Sequence, residues 1–167
     1  MKKYIIIVIA VIGFGVRANA QLGARITNSI SSICPPLNWE NSLGLVFLGP
    51  VEEGNNAQIQ TRMDIRANGR TVKNLKEYVD IEVEMLGNRV VSRTPFVTNS
   101  GIAGEKVVAK FTEGIYSMQN TIIDVFYYFF RENEVNNGII ITCSALDSKA
   151  NKYLALFDES AKTFVLI

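Results

Sequence analysis

The segment from Thr121 to Phe130 is apolar on both faces of a strand, and this feature constrains the fold most. Residues of one face recur at period two and are Ile123, Val125, Tyr127 and Phe129. The opposite face is also apolar and is interrupted only by Asp124. A strand with two apolar faces needs a covering layer on each side. The pattern therefore predicts a central strand between two packed layers.

Other segments supply the rest of a layered fold. Residues 57–66 alternate as a half-buried strand does, and Pro95 places the strand over residues 89–97 at a sheet edge or bulge. The Asn136-Asn137-Gly138 turn predicts a hairpin. Apolar residues at helical spacing predict two amphipathic helices, over residues 71–86 and 146–162. We expect an α+β fold in which helices flank a central antiparallel sheet of about six strands, an α/β/α sandwich.

The first twenty residues have the order of a secretory signal peptide. Met1-Lys2-Lys3 is basic, an apolar run of roughly 13 residues follows, and Ala18-Asn19-Ala20 is a small-x-small cleavage site. The run is shorter than the ~20 residues that a membrane span needs. We therefore predict cleavage after Ala20 and an exported, periplasmic protein with no membrane span after cleavage. Gln21 is not a cysteine, so the sequence does not indicate lipid attachment there.

The predicted mature chain is one domain with little net charge. Residues 21–38 lack a clear period and are expected to form a flexible leader, and residues 39–167 are expected to form a single domain. Removing Lys2, Lys3 and Arg17 leaves 14 basic against 16 acidic residues, a charge of about −2. Such a balance argues against nucleic acid as a partner.

Two cysteines, Cys34 and Cys143, remain in the mature chain. In an exported protein an even pair is compatible with a disulfide. Its loop would span most of the domain and would be worth roughly 4–5 kcal/mol if unstrained. Two separately buried thiols are the equal alternative.

The available side chains exclude most catalytic chemistry. The chain contains no histidine, which removes Ser-His and Cys-His pairs and His-ligated zinc, and no phosphate-binding glycine motif is present. We predict no catalytic residues, no metal site and no cofactor. Carboxylates are the remaining route to acid–base catalysis, and Asp124 stands out because it interrupts an apolar strand.

Two further features suggest binding. Trp39 follows a Pro-rich irregular segment, where it either fixes that segment onto the sheet or contacts a partner. Tyr127 and Phe129 either belong to the core or line an apolar ligand pocket between sheet and helix.

The order of several motifs resembles the PsbP-like and DcrB-like families. The segments that carry this resemblance are Pro36–Trp39, Leu45–Pro50, Gly101–Gly104, Gly138–Ala145 and Thr163-Phe164. The resemblance covers about residues 35–167 and implies a central antiparallel sheet flanked by helices. It also implies a non-catalytic exported or lumenal protein that binds partners. The chain departs from lipid-anchored DcrB-like members because it lacks a cysteine at the predicted cut. It carries no counterpart of histidine-containing metal sites.

Three functions remain open at this point. The first is an exported, non-catalytic binding or assembly-support protein of the cell envelope with a protein partner. The second is a carrier of a small apolar ligand. The third is a carboxylate-dependent hydrolase that uses Asp124 with a second acid roughly 5–10 Å away.

Overall fold

The computed structural model describes residues 21–29, 31–55, 57–68, 70–112, 120–132 and 137–167. These residues form ten strands and two α-helices. The predicted signal peptide, residues 1–20, lies outside them, as does Asn136 of the predicted hairpin turn. The strands are β1 (Ile26–Thr27), β2 (Ser31–Ile33), β3 (Glu40–Leu43), β4 (Val46–Glu53), β5 (Gln58–Asn68), β6 (Val90–Val97), β7 (Ala103–Phe111), β8 (Ile122–Phe130), β9 (Gly138–Leu146) and β10 (Val165–Leu166). The helices are α1 (Leu75–Leu86) and α2 (Ala150–Lys162).

Seven of the described strands form one antiparallel sheet in the order β3-β4-β5-β9-β8-β7-β6. The prediction of an α+β fold with a central antiparallel sheet is confirmed. The sheet has seven strands rather than about six, because residues 40–43 pair with β4. As predicted, β8 is interior, between β7 and β9, and the strand that contains Pro95 is an edge. At this edge the missing Pro95 N–H is tolerated.

Each face of this sheet is covered by one helix. We call the face against α2 the inner face and the face against α1 the outer face. Phe157 of α2 joins the inner core, while Tyr78 and Val79 of α1 join the outer core. The first helix begins after Asn74 rather than Thr71, because the Asn74 side chain accepts a hydrogen bond from the Glu77 N–H. The second begins at Ala150, after a 3₁₀ turn over Asp147–Lys149.

The prediction of a flexible leader at residues 21–38 is wrong. Strands β1 and β2 pair with each other, and β2 pairs with β10 in a second, three-stranded sheet. Ser31, Ser32 and Ile33 are buried, and Ile33 belongs to the inner core. The segment therefore packs as part of the domain. Propensity did not reveal this, because its strands are too short to show a period.

The disulfide alternative for the two cysteines is not what the structure contains, since Cys34 and Cys143 are both free thiols. Cys143 lies fully buried on β9, where burial raises the pKa of its thiol well above the usual value. The Cys34 backbone is instead bound to the end of α2. Its N–H donates to Thr163 Oγ1 (2.7 Å) and its carbonyl accepts from Ser160 Oγ (2.6 Å).

Candidate functional site

Trp39 packs over the start of the second helix. Its ring is half-buried, with edge contacts to Tyr153 (6.5 Å between centroids) and Phe157 (6.1 Å). Gly49 on β4 lies directly beneath, since a Cβ there would clash with Trp39 Cε2. The contacts assign Trp39 the role of fixing the segment before β3 onto the domain. Part of the ring stays exposed, and Leu37, two residues earlier in the chain, is 42% exposed.

Tyr127 and Phe129 do not line a ligand pocket. Both side chains have no surface accessible to water, so neither borders a cavity that could hold a ligand. Phe96 packs against both rings, and Phe164 stacks on Phe129 at 4.7 Å. The structure therefore replaces the predicted apolar pocket with closed core.

The Tyr127 hydroxyl finds its partner on α2. It donates to Asp158 Oδ1 at 2.6 Å, and Lys106 Nζ approaches the same oxygen at 2.6 Å. A buried hydroxyl needs such a partner. This hydrogen bond links the central strand β8 to the helix α2 that covers it, so the Tyr127 hydroxyl helps to hold the two elements together.

The outer face carries a group of polar side chains on three neighbouring strands, which we call the outer cluster. Its members are Arg62, Asp64, Asp124, Thr142 and Ser144. They come from three neighbouring strands, because Arg62 is opposite Ser144, Ser144 is opposite Asp124, and Asp64 is opposite Thr142. Arg62 and Asp64 form an ion pair at 2.6 Å.

Two oxygen atoms of the outer cluster lack hydrogen-bond partners. Asp124 Oδ1 and Thr142 Oγ1 are buried and unpaired within the described part of the chain. Burial raises the pKa of the Asp124 carboxyl above its usual value, and a hydrogen bond from Ser144 and the charge of Arg62 act in the opposite direction. The cluster therefore holds one carboxylate in an ion pair and one carboxyl group that burial favours in its neutral form.

The sequence identified Asp124 but not its neighbours. Ser144 and Arg62 are the groups that favour the charged form of Asp124. Asp64 is buried, although it lies on the polar side of an alternating strand. Register across β5, β9 and β8 creates the cluster, and one sequence does not specify that register. Asp64 supplies a second acid on the same face, but its ion pair with Arg62 occupies it.

Two surface clefts of the described residues are open to solvent. One, of about 510 Å³, lies at the end of the sheet beside Glu53, Asn120 and Asp147. Another, of about 380 Å³, follows the acidic side of α1, where Asp80 is paired with Lys76 at 2.5 Å. In the described ranges no three acidic or cysteine side chains converge as a metal site would require. None of the helices described is long and apolar enough to span a bilayer.

Comparisons with known proteins add one finding. No family model matches the chain, and no curated protein sequence matches it. Among solved structures, the solution structure of cyanobacterial PsbP (CyanoP) from Synechocystis sp. PCC 6803 is similar, with a TM-score of 0.54. The alignment covers 92% of this chain and 96% of that one, at 12% sequence identity. The fold is thus PsbP-like over nearly its whole length, and at this identity the likeness concerns the fold alone.

Proposed function

We propose that this chain is an exported, non-catalytic protein of the cell envelope that supports assembly by binding a protein partner. The observation that carries the proposal is the PsbP-like fold, matched over nearly the full length of both chains. The family resemblance of the sequence implies partner binding rather than catalysis. The signal-peptide pattern of residues 1–20 supports export and a periplasmic location.

The apolar surface around Trp39 is the proposed partner site. A half-buried tryptophan held rigidly by Tyr153 and Phe157 loses little entropy when a partner covers it. Leu37, two residues before Trp39, is a second exposed apolar side chain in this segment. No transmembrane segment is expected after signal cleavage, so the partner would be met from the aqueous side of the envelope.

The experiment is site-specific photo-crosslinking in cells. A photoreactive residue is placed at Leu37, and a matched control is placed at Met85, which is 54% exposed on α1 at a different surface. We expect one recurrent envelope protein captured from position 37 and not from position 85. No capture from position 37, or equal capture from both, would contradict the proposed surface.

Two companion measurements separate export from binding. Cell fractionation and the intact mass of the protein test cleavage after Ala20 independently of any partner. Trp39→Phe and Trp39→Ala are then compared, since Phe keeps much of the contact with α2. If capture falls only as far as stability falls, Trp39 serves the fold and not the partner.

A further inference from the structure

We propose that Asp124 is a proton-binding site through which the stability of the central sheet responds to pH. The proposal does not depend on the identity of any partner. It rests on the position of one carboxyl group in the interior of the sheet and on the groups that surround it.

Asp124 is only partly exposed to solvent and lies on an interior strand of the sheet. It is the third residue of β8, which lies between β7 and β9, and it points to the outer face. Its Oδ1 is buried without a hydrogen-bond partner among the described residues. An ionised carboxylate with an unpaired buried oxygen is costly, whereas the protonated group is neutral and gains a donor.

The surrounding strands supply only partial compensation. From β9, Ser144 is directly opposite and hydrogen-bonds to the carboxylate. From β5, Arg62 favours the charged form and Asp64 opposes it. Arg62 already forms an ion pair with Asp64 at 2.6 Å, so the Asp64 carboxylate offsets much of its positive charge. On β7 the directly opposite residue is Ala109, which brings no charge.

These contributions determine how the free energy of unfolding changes with pH. Burial is the largest influence and raises the pKa of Asp124 above its ordinary value of 3.8. Between the unfolded and the native pKa, the native protein holds more protons than the unfolded chain. The free energy of unfolding therefore falls as pH rises through this interval. This contribution is complete below the unfolded pKa and is lost above the native one.

The test compares wild type with Asp124→Asn, which mimics the neutral acid in shape and charge. Urea unfolding of the purified protein is followed from about pH 4 to about pH 8. We expect the variant to have the higher urea midpoint at the alkaline end and the gap to close as pH falls. A gap that stays constant with pH, or a wild type that is more stable at the alkaline end, would overturn the proposal.

A control and a direct measurement complete the design. The pKa of Asp80 is lowered from 3.8 by hydrogen bonds from Lys76 and Arg93, so Asp80 stays ionised over the tested pH range. Asp80→Asn should therefore be less stable than wild type by a nearly constant amount across that range. If Asp124→Asn does not fold, the carboxyl ¹³C shift of Asp124 in the wild-type protein is titrated by NMR. A midpoint above 3.8 supports the site, and a midpoint at or below 3.8 overturns it.

Discussion

The two faces of the central sheet differ in the size of their apolar cores and in how many buried polar atoms lack a hydrogen-bond partner. The inner face meets α2 and the small sheet through apolar side chains, and the hydroxyl of Tyr127 is bound there. The outer face meets α1 over a smaller core and contains three of the four buried side-chain atoms that lack partners in the described residues. Thr61 Oγ1 is the inner exception. The larger apolar core therefore lies on the inner face, and most of the unpaired buried polar atoms of the described residues lie on the outer face.

Matched phenylalanine truncations give the largest expected contrast between the faces. Phe157 is fully buried between Trp39 and Tyr153, so Phe157→Ala should lower the free energy of unfolding by about 3–5 kcal/mol. Phe126, 8% exposed on the outer face, should cost less when changed to Ala. Urea unfolding of both variants measures this. Equal losses would show that the two cores contribute alike.

A glycine substitution tests how tightly the outer face is packed. Gly138 begins β9, and a Cβ there would stand 2.8 Å from Tyr78 Cζ. Tyr78 is fully buried, so its ring has little room to move. Gly138→Ala should therefore destabilise the protein by about 1–3 kcal/mol, as overpacking does. Thermal unfolding of the variant beside wild type checks the value. No loss of stability would mean that α1 shifts easily on the sheet.

The difference between the faces also explains what the sequence could predict. Period-two patterns identified β5 and β8 and predicted the central sheet. Because β8 is buried on both sides, its residues are apolar on both faces, and this is visible in the sequence. The short strands β1 and β2 could not be recognised in the sequence, since two or three residues cannot show a period. Asp124 was recognisable as an exception in an apolar strand. Its neighbours Arg62 and Ser144 were not, because they come together only through strand register.

Two tyrosine-to-phenylalanine variants isolate the value of a bound hydroxyl. Tyr127 donates to Asp158, so Tyr127→Phe should lower the free energy of unfolding by about 1–2 kcal/mol. The Tyr78 hydroxyl is buried without a well-formed hydrogen bond in the described part of the chain, although Asn68 lies near enough to affect it. Tyr78→Phe should therefore cost little. Chemical denaturation of the two variants side by side decides, and a larger loss for Tyr78→Phe would refute the contrast.

The smallest expected effect concerns the start of α1, the helix that covers the outer face. Asn74 Oδ1 accepts from the Glu77 N–H at 2.9 Å, and the Glu77 carboxylate accepts from the Lys73 N–H at 2.7 Å. Asn74→Ala removes the first bond and should cost about 1 kcal/mol. Asn74→Asp keeps an acceptor and serves as the control. Hydrogen exchange should accelerate in the first turn of α1 in the Ala variant alone. If exchange on the inner face accelerates equally, the helix and the whole sheet open together, and the two faces are one cooperative unit rather than two.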